Sequence, residues 1–192
     1  MFSHVKKGKP QGPFCNFCSY RNILKALWKS TIVDKMKNNI LVAHFTKGGA
    51  SEEYANVIAD TLKSNGYKVE TCNLANNIPD IADFETIILG TGVRMFRVYR
   101  RWKKVLKQKS IKEKNLFLFL SSGMAAEEPE KAVEKFLNPL VKKYDLKPKL
   151  LVSFPGKMPE RWAKYDDKQK MAVNPRNKKK WAKEISCRLK DV

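Results

Sequence analysis

Thr46, Lys47, Gly48, Gly49, Ala50 and Ser51 stand between an apolar run at residues 40–43 and a helix-patterned segment that begins at Glu52. A strand that runs through such a loop directly into a helix leaves the first helical N–H groups unpaired and pointing outward, and those donors suit a phosphate. Gly48 and Gly49 let the backbone approach an anion closely. Thr46 and Ser51 add hydroxyl donors, and Ser51 is also a candidate N-cap. Lys47 is optional in a loop of this kind. The spacing is not a Walker A loop, which needs Lys-Ser/Thr after its last glycine, nor the G-x-G-x-x-G dinucleotide fingerprint. An ordinary strand-to-helix turn is the competing reading.

The elements needed to position that loop are legible on either side of it. Apolar strand-length runs occur at residues 40–44, 67–74, 86–90, 116–120 and 150–154. Between them, residues recur at helical spacing: Tyr54, Val57, Ile58 and Leu62, ended by Asn65-Gly66; then Val98, Tyr99, Trp102, Val105 and Leu106; then, after Pro129, Ala132, Val133, Phe136, Leu137, Leu140, Val141 and Tyr144. Residues 178–189 read as a last helix carrying Trp181, Ile185 and Leu189. Five buried strands joined by amphipathic helices predict an α/β fold, a doubly wound parallel sheet with helices on both faces. Ligands of such sheets sit at the C-terminal ends of the strands, where residues 46–51, 91–97 and 121–127 all fall.

The chain of 192 residues predicts a domain at 39–192 preceded by a basic arm at 1–38. Its net charge of +20 divides as +7 over residues 1–38, +6 over 39–156 and +7 over 157–192, so the ends are the more basic parts. Four cysteines make no disulfide framework. With no apolar run of about 18 residues and no apolar signal core, the expected location is cytoplasmic, in a reducing compartment. Within the arm, Tyr20, Ile23, Leu24, Leu27, Trp28, Ile32, Val33 and Met36 form the apolar stripe of a basic helix over residues 20–37. That stripe either packs on the domain or lies on an anionic membrane, which would make the protein peripheral at the inner face. Cys15 and Cys18 form a C-x-x-C without nearby partners for a four-ligand metal site. A redox dithiol, a metal shared between chains and an incidental pair all remain open.

The loop Thr46-Lys47-Gly48-Gly49-Ala50-Ser51 resembles the T-x-x-G-x-[ST] phosphate loop of flavodoxins. More narrowly, the chain resembles the menaquinone-dependent protoporphyrinogen oxidase type through Gly90-Thr91-Gly92-Val93-Arg94, Lys135-Phe136-Leu137, Gly156-Lys157-Met158 and Trp181-Ala182-Lys183-Glu184-Ile185. The resemblance covers roughly residues 39–190. It implies a five-stranded sheet in order 2-1-3-4-5 and non-covalent FMN. The phosphate would rest on residues 46–51 and the ring between Thr91, Gly92, Val93, Arg94, Met95 and Phe96 on one side and Ser121, Ser122, Gly123 and Met124 on the other. Chemistry would then be flavin-centred, with no catalytic side chain, as in the protoporphyrinogen step of heme biosynthesis. Met95 stands where the family commonly has Tyr, and Phe96 where it has Gly. Phe96 either offers the ring an aromatic face or begins, with Met95, an amphipathic helix packed on the core.

Residues 94–114 hold ten Lys or Arg against Glu113 alone. Such a rim beside the ring loop would draw a porphyrinogen or other anionic small molecule, an anionic lipid or an acidic redox protein, unless it is only a solvated helix face. Arg94 is the candidate substrate anchor, because guanidinium binds carboxylate bidentately. Electrons would leave to a quinone or a redox protein. Two rivals stand beside this oxidoreductase: an electron carrier without its own small-molecule substrate, and a flavin-free module for an anionic surface or nucleic acid. Base-readout motifs are absent, which makes nucleic acid the less favoured partner. Of the two histidines, His44 reads as packed or flanking.

Overall fold

A computed structural model describes residues 39–157 together with residues 180, 181, 183–185, 187 and 188. The arm at 1–38, its helix and the Cys15/Cys18 pair lie outside the described residues, as does Met158. The element order is β1 (Asn39–Phe45), α1 (Ala50–Ser64), β2 (Lys68–Asn73), β3 (Thr86–Arg94), β4 (Arg97–Val98), α2 (Arg100–Val105), β5 (Asn115–Ser122), α3 (Pro129–Phe136), α4 (Asn138–Tyr144) and β6 (Leu150–Pro155). Strands β2, β1, β3, β5 and β6 pair in that order, all in parallel, which is the expected 2-1-3-4-5 arrangement of the five long strands. The sheet has a sixth strand that the sequence reading lacks: β4 pairs antiparallel with the end of β3.

Strands β1, β3 and β5 are buried on both faces because each face carries its own apolar cluster, whereas the edge strand β2 buries only Val69 fully and is not the buried strand expected. Ile40, Val42, Ile88, Phe117 and Phe119 point to one side, where α1 supplies Tyr54, Ile58 and Leu62 and the last helix supplies Trp181 and Ile185. Leu41, Ile87, Leu89, Leu116 and Leu118 point to the other, against Trp102 and Val105 of α2 and Ala132 and Phe136 of α3. Period-2 alternation is therefore absent from the sequence of these strands, as both-face burial demands. The α1 helix stops where Asn65-Gly66 predicts. Gly66 takes φ +86, and the Gly66 and Tyr67 N–H groups donate to the Lys63 and Leu62 carbonyls at 3.0 and 3.1 Å.

Two helical expectations need correction. The pattern from Val98 to Leu106 is not one helix: Val98 belongs to β4, and α2 begins only at Arg100. The long helix expected after Pro129 is two, because Pro139 cannot continue a helical hydrogen-bond ladder and instead sits in the first turn of α4, with Leu137 joining the two. Among the described residues no helix is long and apolar enough to cross a membrane.

Gly90, in the central strand β3, is required by packing. A Cβ there would lie 2.0 Å from Phe119 Cζ, and that ring is wedged edge-on between Phe154 and Trp181, at 5.9 and 5.6 Å. Gly90→Ala is therefore expected to destabilise the fold by about 1–3 kcal/mol through overpacking. A lowered urea midpoint at unchanged slope would register this; wild-type stability would show that the ring yields freely.

Candidate functional site

The C-terminal edge of the sheet collects the three segments that the sequence singles out. In the first, the Gly48 N–H donates to Thr46 Oγ1 at 3.3 Å, and Gly49 takes the left-handed conformation at φ +79 and serves as the N-cap of α1. No side chain caps the helix. The ladder of α1 begins with the Glu53 N–H on the Gly49 carbonyl, at 3.1 Å, so the N–H groups of Ala50, Ser51 and Glu52 have no intrahelical acceptor. Ser51 is not the cap expected of it. The left-handed turn at Gly49 starts the helix early, which puts Ser51 inside the first turn, fully buried, where its hydroxyl shares a 2.8 Å hydrogen bond with Ser121 Oγ.

In the second segment, Thr91 and Gly92 are buried strand residues rather than loop residues, since β3 runs on to Arg94. A Cβ at Gly92 would stand 3.4 Å from the Tyr99 ring, 3.6 Å from Ser51 Oγ and 3.8 Å from Ser121 Oγ. The missing side chain leaves a niche among those three groups. Phe45 stacks at a tilt on Tyr99, with centroids 4.5 Å apart, and both rings are half-buried. Burial pushes the Tyr99 phenol up, and neighbouring Arg94 partly offsets this. In the third segment, Ser121 and Ser122 are the buried end of β5. Ser122 Oγ accepts the Ala125 N–H at 3.2 Å, Gly123 is exposed, and Met124 opens a short 3-10 turn.

Met95 and Phe96 neither open a helix nor pack on the core. They are the two central residues of the β3–β4 hairpin, between the Arg94↔Arg97 pair, with φ of 47° and 59° and exposures of 83% and 74%. Positive φ at both positions is the geometry of a type I′ turn, which normally takes Asn-Gly, so a Met-Phe pair there is strained. Of the basic run, Arg101 donates to the Leu74 carbonyl at 3.1 Å and to that of Ala75, Lys114 donates to the Ala82 carbonyl at 2.7 Å, and Lys112 pairs with Asp145 at 2.8 Å. Those three tie loops to the domain. Arg94, Arg97 and Arg100 remain exposed beside the hairpin.

Two further groups that residue types alone did not place at the site, His44 and Lys157, flank the first loop. His44, on β1, is 4% exposed with neither ring nitrogen partnered, and its Nε2 lies 4.0 Å from Glu52 Oε1. Burial pushes its imidazole below the ordinary value of 6.5, against a smaller upward pull from Glu52. Lys157, just after β6, forms an ion pair with Glu53, and its carbonyl stands 3.8 Å from where a Cβ on Gly48 would lie. The available signal is the acidic pair Glu52-Glu53 in the first turn of α1, two neighbouring carboxylates that a nearby basic side chain can offset.

A family model for the flavodoxin domain matches residues 41–183. The chain belongs to the flavodoxin domain family. No curated protein matches its sequence. Among solved structures, a flavo di-iron protein variant from Thermotoga maritima is 16% identical with a TM-score of 0.56, over 88% of this chain and 41% of that one. A flavodoxin from the domain Archaea is 15% identical with a TM-score of 0.51, over 79% and 99%. This chain thus spans about two fifths of the flavo di-iron proteins it matches and nearly the full length of the flavodoxin. At these identities the likeness is one of fold.

The cofactor of the family is FMN. The residues present fit its parts: N–H groups without an intrahelical acceptor at the start of α1 for the phosphate, and the half-buried Phe45/Tyr99 pair beside residues 91–94 for an apolar wall next to the ring. His44 also gives the site a pH signature. Because its folded-state affinity for a proton lies below 6.5, the unfolded chain takes up a proton that the folded chain refuses, and stability is lost as pH falls below that value. His44→Phe is expected to remove this component of acid sensitivity. Urea unfolding of both proteins on either side of pH 6.5 measures it, and parallel losses in the two would exclude His44 as the source.

Proposed function

We propose that the chain is an FMN-dependent oxidoreductase whose substrate is an anionic small molecule, and that a porphyrinogen, with its carboxylates, is the first such molecule to test. The observation that carries this reading is the pair of exposed guanidinium groups, Arg94 and Arg97, directly opposite each other on a hairpin that leaves the sheet at its ligand-binding edge. Like charges so placed repel, which makes sense where a carboxylate is to be received between or beside them.

The division of labour follows from the residues. The N–H groups of Ala50, Ser51 and Glu52, with the hydroxyl of Thr46, bind the phosphate, and Lys47 adds an exposed positive charge. The ring belongs between residues 91–94 and residues 121–124. Bound FMN supplies reversible acceptance of one or two electrons. Gly92 and the Ser51–Ser121 pair shape the niche, Tyr99 and Phe45 wall it against water, and Arg94 orients the substrate's carboxylate. No side chain is asked to act as nucleophile. The electron acceptor is a quinone or a redox protein, and a protein localised in the cytoplasm, peripheral at an anionic membrane, would reach either.

Purified protein should carry or take up FMN, with the flavin absorbance bands as the readout. A chain that never acquires those bands leaves the flavin-free binding module standing. Anaerobic mixing with protoporphyrinogen and a quinone then separates enzyme from carrier, because a flavin that this substrate reduces only slowly belongs to a carrier.

Lys157 offers a sharper test of the phosphate assignment. It offsets Glu53 at the helix start, so Lys157→Gln should weaken FMN binding by about two- to fivefold while leaving riboflavin binding unchanged. Flavin fluorescence titrations measure both ligands. Equal weakening of the two would place the effect away from the phosphate.

A further inference from the structure

Met95 and Phe96 are the exposed large hydrophobic residues of the described part of the chain, and they sit side by side at one tip. Three costs meet there. Both residues adopt positive φ, which non-glycine side chains resist; both expose apolar surface to water; and the pair flanking them is Arg94 opposite Arg97. None of the three serves the core, because the tip is outside it. Nor does the turn need them, since Asn-Gly would close the same hairpin without strain. The cations around the tip come from three elements: Arg94 and Arg97 from the hairpin, Arg100 from α2, and Lys135 from α3, whose Nζ lies 5.0 Å from the centroid of the Phe96 ring. No acidic residue occurs between Glu85 and Glu113.

We propose that the hairpin tip inserts into the interface of an anionic lipid bilayer, Met95 and Phe96 entering the acyl boundary while Arg94, Arg97, Arg100 and Lys135 meet lipid phosphates. A two-residue apolar point ringed by basic side chains matches the layering of that interface, apolar beneath and anionic at the headgroups. A bilayer receives so narrow a tip without a matching pocket, and it neutralises cations from all three elements at once. A protein partner would need both a pocket and carboxylates surrounding it. The short, tightly turned hairpin presents the pair without an ordering cost. The insertion needs no bound flavin: it shares Arg94 and Arg97 with the proposed substrate site but rests on Met95 and Phe96, which that site does not use.

The test uses the full chain and vesicles of phosphatidylcholine with and without phosphatidylglycerol. Wild type should float with the anionic vesicles and release at high salt. The double variant Met95→Asn/Phe96→Gly relieves the turn strain, so its melting temperature should match or exceed that of wild type while its affinity for anionic vesicles falls by about tenfold or more. A Phe96→Trp chain locates the contact: its added emission, taken as the difference from wild type, should shift blue on anionic vesicles and be quenched by lipids brominated in the acyl chain. Unchanged vesicle affinity in the double variant overturns the proposal, because binding would then reside elsewhere, as in the basic arm. So does an indole at position 96 that ignores vesicles, or one that is quenched by added FMN alone, which would assign the tip to the flavin.

Discussion

Strand β3 lies between β1 and β5, is buried on both faces, and outruns both neighbours. Its pairing with β1 ends at Phe45↔Thr91 and with β5 at Gly92↔Ser121. Beyond Gly92 the strand has no parallel partner, yet its N–H and C=O groups still need one. The chain meets that need by folding back on itself, so that Val98 pairs with Val93 and Arg97 with Arg94. The hairpin beside the candidate site is thus a consequence of one strand being too long for its sheet. Gly90 and Gly92 on the same strand set the other conditions: the first admits the Phe119 ring, the second leaves the niche bounded by Ser51, Ser121 and Tyr99.

Charge follows a similar logic of local compensation. The start of α1 carries Glu52 and Glu53, which favour the positive end of a helix dipole but oppose an incoming phosphate. Each carboxylate has a basic side chain facing it, His44 from beneath and Lys157 from the end of β6. The two pairs differ in kind. His44 is buried and held neutral by desolvation, whereas Lys157 and Glu53 are both half-exposed and screened by solvent. Only Lys157 therefore contributes a standing positive charge near neutral pH, and Lys157 is also the residue whose backbone abuts Gly48.

The sequence made some of this legible and hid the rest for identifiable reasons. Runs such as 40–44, 86–90 and 116–120 are read correctly because both-face burial leaves unbroken apolar stretches, and their order fixes a parallel sheet with its loops at one edge. Within residues 180–188 the last helix is read correctly because Trp181 and Ile185 are four residues apart and both pack on the sheet, while Leu189 lies outside the described residues. The hairpin was invisible. Its turn is Met-Phe, which carries no turn signature, and Val98 lies at helical spacing from Trp102 and Val105 by coincidence of register. Ser51 departs from expectation for a different reason: serine before an amphipathic run is a sound cap signal, but Gly49 adopts φ +79 and takes the position. The Ser51–Ser121 contact spans 70 residues of sequence and follows only from the strand order.

What distinguishes the edge of this sheet is that stability was not the property optimised there. A hairpin that only had to satisfy the overrun of β3 would carry turn-forming residues at its tip and opposite or neutral side chains at Arg94 and Arg97. Instead the tip combines positive φ on two bulky residues, exposed apolar surface and opposed cations, each unfavourable in water. These penalties share a remedy in an environment that is apolar at its centre and anionic around it. The buried half of β3, by contrast, obeys every packing rule, with glycine only where a ring or a niche requires it. The change falls at Gly92, the last residue with parallel partners on its strand. Up to there the sheet dictates each side chain, and past it the surroundings of the folded domain do.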